Sequence, residues 1–141
     1  MTKPTLIDRA FVLKKAFPFA NLDLELLLAI ADKLEIATLK ADQKVFNIDD
    51  EESSHMYFIL QGDIRIENEQ NNTLEILSEG NFFGDEALFA DKPRQYAAIS
   101  IDNSKILALS RSNLLTILSE CPSIAIGFLK QYAQNLPYNK K

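Results

Sequence analysis

Hydrophobic residues recur at helical spacing near both ends of the chain and form short runs between them. The N-terminal segment "TLIDRAFVLKKAF" opens with Thr5 and Asp8 at capping-box spacing, which predicts a first helix. Its predicted apolar face consists of Leu6, Ala10, Leu13 and Phe17. The segment "DLELLLAIADKLE" predicts a second helix with Asp23 as its N-cap. The predicted apolar face of this second helix consists of Leu24, Leu27, Leu28, Ala31 and Leu34.

The pattern changes between Lys44 and Ser110 to short apolar runs that are typical of strands. These runs are "KVF", "MYFIL", "DIRIE", "TLEIL", "YAAISI" and "KILALS". Acid-rich, Asn-rich or Gly-containing turns separate them, and no helix lies between successive runs, so we predict an antiparallel sheet. After Ser110, which is a predicted helix cap, two further helices are expected, and Pro122 is expected at the first position of the last one.

Composition limits the classes of protein that are compatible with this pattern. A chain of 141 residues with 47% hydrophobic and 25% charged residues is predicted to fold as one globular domain. The net charge is −5 and no basic stripe is present, which argues against direct binding of nucleic acid. There is no apolar run of about 20 residues and no signal-peptide pattern at the start, so we expect a cytoplasmic chain that does not bind a membrane.

Catalytic and metal-binding patterns are not found in the sequence. His55 is the only histidine and Cys121 the only cysteine, so neither a multi-histidine metal site nor a Cys-rich site can form. We interpret His55 as a turn residue at a strand start and Cys121 as a small apolar residue near a helix start. The acidic run from Asp49 to Glu52 is interpreted as a solvated loop face. We therefore expect neither an enzyme nor a metal protein.

The stretch "NFFGDEALFADKPRQYA", residues 81 to 97, holds the candidate chemistry. Gly84 allows a sharp turn into a short helix whose first N–H groups can bind an anion, and Arg94 can add a charge-assisted hydrogen bond. Other interpretations remain open. Arg94 could instead pair with Asp85, Glu86 or Asp91, and Asp85 could simply complement the helix dipole.

Three segments of the chain resemble the cyclic-nucleotide-binding domain family. "MYFILQGDIRI" is similar to the family's strand, glycine turn and second strand, and "LSEGNFFGDEAL" followed by "PR" resembles its phosphate-binding cassette. The ten-residue spacing from Gly84 to Arg94 equals that of regulatory subunits of cAMP-dependent protein kinase. The resemblance runs from about Leu13 to Leu136. The cassette positions that match are Leu77, Gly80, Phe83, Gly84, Ala87 and Leu88.

This resemblance implies a mainly β fold with flanking helices. The expected architecture is an antiparallel eight-stranded β-roll, a jelly-roll-like barrel, with N-terminal helices in 1–36, the roll in 37–110 and a C-terminal helix pair in 111–136. The phosphate-binding cassette would be 80–97.

The implied ligand is cAMP or a related cyclic nucleotide, with no metal. The resemblance assigns ligand binding to Gly84, Asp85, Glu86, Ala87, Arg94, Gln95 and Tyr96. In the family, an acid after the glycine binds the ribose hydroxyl. Tyr132 is a candidate lid over the base, although packing of the last helix on the roll is the alternative that we favour for it.

The chain departs from the family pattern at several positions. Asp85 replaces a glutamate, and Gln95 and Tyr96 replace a small or hydroxyl residue and an alanine. Asp42 and Asp50 replace two turn glycines, and aspartate tolerates left-handed turns better than most residues.

Two functions are compatible with these observations. The first is a cyclic nucleotide sensor that relays its signal to an unknown effector protein through movement of the C-terminal helix, with a homodimer through that helix as a further option. The second is a degenerate domain that acts as a protein-interaction or dimerisation module and binds no nucleotide.

Overall fold

The computed structural model describes residues 4–51 and 54–136, and it contains a helical layer against two β-sheets. The helices are α1 (Leu6–Lys15), α2 (Leu24–Ala31), α3 (Asp85–Ala90), α4 (Arg111–Glu120) and α5 (Pro122–Gln134), with a 3-10 turn at Phe17–Phe19. The strands are β1 (Glu35–Leu39), β2 (Lys44–Phe46), β3 (His55–Gln61), β4 (Ile64–Glu67), β5 (Thr73–Leu77), β6 (Phe82–Phe83), β7 (Ala97–Ser100) and β8 (Ser104–Ser110). The N-terminal helices, the roll and the C-terminal helix pair therefore follow in the predicted order.

Side-chain caps start the helices where the sequence predicts them. Thr5 and Asp8 form a reciprocal capping box at α1, with N–H to side-chain oxygen distances of 2.9 and 3.1 Å. Asp23 accepts the Leu26 N–H at α2, and Ser110 accepts the Asn113 N–H at α4. Each cap satisfies an N–H that has no partner within its helix, so local chemistry is sufficient to specify these starts.

The apolar faces of the first two helices differ from the predicted ones. In α1, Ala10 and Leu13 are buried as expected, but Leu6 is exposed. Phe17, the fourth residue of the predicted face, lies after α1 in the 3-10 turn and is also exposed. Helix α2 ends at Ala31, three residues before the predicted face ends, and its first residue, Leu24, is exposed. The chain turns into β1 after Ala31, which buries Leu34 outside the helix.

The eight strands form two antiparallel four-stranded sheets rather than one closed barrel. Their orders are β1-β8-β3-β6 and β2-β7-β4-β5. The apolar pattern did not indicate β1 or β6 as strands. Strand β6 has only two residues, Phe82 and Phe83, and it ends directly before the Gly84 turn. These two residues pair with Tyr57 and Phe58 of β3.

Two left-handed aspartates support the loops that precede the candidate site. Asp42 has φ +66°, as expected for a residue that replaces a turn glycine. The second left-handed position is Asp49, with φ +69°, and not Asp50. Asp50 instead accepts the Asn47 N–H through its carboxylate at 2.8 Å. The prediction for Asp50 was therefore wrong by one residue.

The final helix packs closely on the N-terminal segment and on the sheet. Phe128 of α5 is 2% exposed, and its ring contacts the rings of Phe19, Phe82, Phe89 and Tyr132. A Cβ at Gly127 would lie 2.8 Å from Pro18 Cα, so glycine is needed for this approach of α5 to the 3-10 turn. This packing places the C-terminal half of α5 beside α3.

Within residues 4–51 and 54–136, no single helix has the length and apolar character to span a membrane. Helices α4 and α5 meet that criterion only as a pair, and they are bent by 109° at their break.

Candidate functional site

The candidate site is built around the turn that joins β6 to α3. Gly84 is the N-cap of α3 and has φ +85°, a conformation that residues with a Cβ rarely adopt. A Cβ at this position would also lie 3.0 Å from Arg94 Nη1. The glycine is therefore required both by the turn and by the close approach of Arg94.

Arg94 lies beneath this turn and binds main-chain carbonyl groups. Its side chain is almost completely buried, at 2% exposure. Nη1 donates to Gly84 O and Nη2 to His55 O, both at 2.6 Å, and the guanidinium carbon stands 4.1 Å from the centre of the Phe46 ring. None of the ion pairs found among the described residues includes Arg94. The arginine thus holds the Gly84 turn against the start of β3.

Tyr96 occupies the opposite side of the same turn. Its hydroxyl accepts the Gly84 N–H at 2.9 Å and donates to the Glu86 carboxylate, whose oxygens lie 2.8 and 2.9 Å away. Its ring packs 5.5 Å from that of Phe46. The Gly84 N–H is therefore already bonded within the chain.

Asp85 connects α3 to the last helix. It is 3% exposed, and its carboxylate accepts a hydrogen bond from the Tyr132 hydroxyl of α5. Phe89 and Phe128 pack edge-on beside this contact with ring centres 5.1 Å apart. The predicted acid and the predicted lid residue are thus in direct contact.

The surroundings of the buried Asp85 and of the more exposed Glu86 raise the pKa of both acids. Desolvation raises the pKa of Asp85, although the hydrogen bond from Tyr132 opposes this effect. Desolvation, followed by repulsion from the Asp85 carboxylate, raises the pKa of Glu86 to about 7. Burial and the neighbouring acids raise the pKa values of Tyr96 and Tyr132, so both hydroxyls stay protonated and can donate.

These side chains border a cavity of about 610 Å³ between the second sheet, α3 and α5. The acidic residues that line it are Glu75, Asp85 and Glu86, and the aromatic ones are Phe17, Phe82, Phe83, Tyr96 and Tyr132. Lys15 also lines the cavity and pairs with the exposed Glu79 at 2.9 Å. Arg94 borders a different cavity of about 400 Å³, which it shares with Phe46, Ser54 and Tyr57.

The sequence-predicted residues are thus distributed over two sides of one turn. Asp85, Glu86, Tyr96 and Tyr132 line the large cavity, whereas Arg94 faces the main chain below it. Ala87 is buried in α3, and Gln95 is exposed with its amide donating to Pro93 O. The sequence did not indicate Lys15 or Glu75 as lining residues, because they come from α1 and β5 and carry no motif.

Metal-binding geometry is not found in this region. Across 4–51 and 54–136, no group of three or more His, Cys, Asp or Glu side chains is placed to hold an ion.

The structure thus combines a β-roll, a short helix after a glycine turn and a C-terminal helix beside that turn. The sequence model of the family described as Cyclic nucleotide-binding domain matches residues 36–121 of this chain. The chain therefore belongs to the cyclic nucleotide-binding domain family.

Curated relatives are similar over 57–63% of this chain. The cAMP-dependent protein kinase regulatory subunit of Candida albicans is 28% identical over 89 residues, which is 63% of this chain and 19% of that protein. The Cyclic AMP receptor protein of Thermus thermophilus is 26% identical over 85 residues, 57% of this chain and 39% of that protein. The matched regions are thus about a fifth to two fifths of the length of these relatives.

Solved structures share the fold at low sequence identity. The Thermus thermophilus Catabolite Activator Protein superposes with a TM-score of 0.78 at 20% identity, covering 84% of this chain and 57% of that one. The sensor domain of the transcriptional regulator DNR from Pseudomonas aeruginosa gives a TM-score of 0.78 at 21% identity, covering 92% of this chain and 94% of that domain. This level of similarity establishes the architecture.

Proposed function

We propose that this chain is a regulatory domain that uses the cyclic nucleotide-binding fold as a protein-interaction module and does not bind a cyclic nucleotide through Gly84 and Arg94. The observation that carries this proposal is the position of Arg94. Both of its terminal nitrogens donate to main-chain carbonyls, and the side chain is buried. Two of the five N–H donors of Arg94 are thus taken by the main chain, and its Nε–H is buried without a partner among the described residues. A phosphate would have to enter this buried site beside two short hydrogen bonds that already hold the guanidinium in place, which is costly.

The surroundings of Gly84 support the same proposal. Its N–H is bonded to Tyr96, and the carboxylates of Asp85 and Glu86 line the cavity beside it. A cyclic phosphate in this cavity would meet like charges and would have to displace an internal hydrogen bond.

Exposed apolar side chains on the C-terminal helices support the interaction role. Leu115 of α4 and Ile126 and Leu129 of α5 are between 42% and 61% exposed. The partner is either an effector protein or a second copy of this chain. Sedimentation of wild type and Leu129→Glu tests the second option. A homodimer through α5 requires a wild-type dimer that the variant dissociates, and a wild-type monomer excludes this homodimer.

The alternative proposal is a cyclic nucleotide sensor that relays ligand binding through α5. The specific observation in its favour is the large cavity bordered by both Asp85 and Tyr132, because a ligand that engaged Asp85 would compete directly with the contact that holds α5. We expect no enzymatic activity under either proposal.

Calorimetric titration with cAMP and cGMP separates the two functions. If the chain is an interaction module, titration with millimolar nucleotide should give no heat of binding. Circular dichroism of the same sample should show that the protein is folded. Micromolar binding that Arg94→Ala abolishes would overturn our proposal and support the sensor. Arg65→Ala is the matched control, since Arg65 pairs with Glu67 on β4, away from the turn.

A further inference from the structure

The hydrogen-bonding groups and charges of the large cavity limit the kind of ligand that it can bind. At the Gly84 turn, the Tyr96 hydroxyl uses its proton for Glu86 and accepts the Gly84 N–H. A hydroxyl has one proton to donate, so Tyr96 has none left for an incoming ligand. The group that an anion would meet at this turn is the Glu86 carboxylate.

Packing fixes Tyr96 in this place. Its ring lies against Phe46, which is 6% exposed, and the next residue, Ala97, begins β7. Because the ring is held at one end by the sheet and the hydroxyl at the other by Gly84 and Glu86, the side chain cannot leave the turn without losing both contacts.

Acidic groups outnumber basic ones around the cavity. Glu75 and Asp85 line it together with Glu86, and Lys15 is the one cation among the described lining residues. Lys15 already pairs with Glu79 at the rim. An entering anion would therefore meet three carboxyl groups and a lysine that is already paired.

We infer that Tyr96 and Glu86 determine the charge specificity of this cavity, so that it excludes anionic ligands, cyclic phosphates included, and admits uncharged or cationic small molecules. This inference rests on the proposed function, because it gives the reason why a cyclic phosphate is not bound.

Variants at the turn test the inference with two probes that share a base and a sugar. cAMP carries an anionic cyclic phosphate, whereas adenosine carries no charge. Calorimetry is performed at about pH 8, where Glu86 with its pKa of about 7 is mostly ionised, on wild type, Glu86→Gln, Tyr96→Phe, Tyr96→Ala and the double variant Tyr96→Ala/Glu86→Gln. Wild type is expected to show no heat with millimolar cAMP, so we expect measurable cAMP binding to appear in Glu86→Gln, at least about tenfold tighter than this detection limit. The double variant should bind cAMP more tightly still, and the change for adenosine should be smaller.

Glu75→Gln is the matched control, because it removes a negative charge from the same cavity without touching Gly84 or Tyr96. We expect its gain in cAMP affinity to be clearly smaller than that of Glu86→Gln. If Glu75→Gln raises cAMP affinity as much as Glu86→Gln does, the effect comes from the overall charge of the cavity and the inference is wrong. If Glu86→Gln raises the affinities for adenosine and cAMP equally, the substitution has enlarged the cavity and the inference is also wrong.

The conservative substitutions keep the test valid if Tyr96→Ala does not fold. Glu86→Gln retains shape, and Tyr96→Phe retains the ring that packs on Phe46. If folded Glu86→Gln and Tyr96→Phe bind cAMP no better than wild type, the inference is wrong while the proposed function still stands. Micromolar binding of cAMP to wild type would overturn the proposed function itself.

Discussion

At the scale of single residues, Arg94 supports the fold rather than facing open solvent. A buried guanidinium that donates to two carbonyls and lies over an aromatic ring fixes three separate segments of chain. The charge is compensated by main-chain dipoles, a role for which the planar, multi-donor guanidinium is well suited.

Arg94→Ala should therefore destabilise the protein in the absence of any ligand. It leaves two buried carbonyls without donors, and we expect a loss of about 2–4 kcal/mol in the free energy of unfolding. Urea denaturation measures this loss. Arg65→Ala, which removes a partly exposed ion pair, should cost no more than about 1 kcal/mol. Equal stability of Arg94→Ala and wild type would show that Arg94 has no structural role.

The raised pKa of Glu86 predicts how the stability of the folded protein changes with pH. Its pKa of about 7 in the folded chain exceeds the ordinary value of 4.5, so the folded state binds the proton more tightly. The free energy of unfolding should therefore fall as pH rises through the window from about 4.5 to 7 and level off above it. The groups that face Glu86 are Asp85 on α3, Tyr96 before β7 and Tyr132 on α5.

Thermal unfolding between pH 5 and pH 8 tests this effect. Glu86→Gln should flatten the dependence of Tm on pH, whereas Glu79→Gln, at the exposed rim, should leave the slope as in wild type. If Tm depends on pH in Glu86→Gln as it does in wild type, Glu86 is not the group responsible for the pH dependence.

At the scale of secondary-structure elements, the sequence was most informative where chemistry is local. Thr5, Asp23 and Ser110 each cap a helix, because a cap needs only an acceptor two or three residues before the N–H that it satisfies. The end of α2 was missed because Leu34 continues the apolar period although the chain has already turned toward β1. Strand β6 was missed because two residues carry no period, and only pairing with β3 defines it.

The contact between α5 and the 3-10 turn gives a prediction for one element. Gly127→Ala raises helix propensity by ~0.5–1 kcal/mol but places a methyl group 2.8 Å from Pro18 Cα. We expect a net loss of about 1–3 kcal/mol, because main chain cannot move aside as a flexible side chain would. Chemical denaturation measures it, with the exposed Ser123→Ala on the same helix as the control. Stabilisation by Gly127→Ala would contradict the described packing.

At the scale of the whole molecule, the sequence predicted which residues would meet but not which way they would face. The spacing of Gly84 and Arg94 indicated one cassette, and the two residues are indeed in contact. The direction of the guanidinium depends on His55 O and Phe46, which belong to other strands. Likewise, the tyrosine at position 96 was noted as a departure from the family, whereas its bond to Gly84 depends on the three-dimensional path of the turn.

The packing of Phe128 joins the N-terminal segment, β6, α3 and α5 into one unit. Removing this ring should cost about 3–5 kcal/mol, the range for large core aromatics replaced by alanine. Phe128→Ala is compared with wild type by urea denaturation. Phe11→Ala, at an exposed position on α1, should change stability little. A small effect of Phe128→Ala would mean that α5 does not share the common core.

The hydrogen bond from Tyr132 to Asp85 joins positions 47 residues apart and links α5 to the first turn of α3. Regions that open together exchange their amide hydrogens together, so a polar tether between two helices defines the size of the opening unit. The amides of α5 and of the α3 turn should thus exchange with deuterium at matched free energies. In Tyr132→Phe, α5 should exchange faster while the central strand pair β3 and β8 keeps the slow exchange of global unfolding.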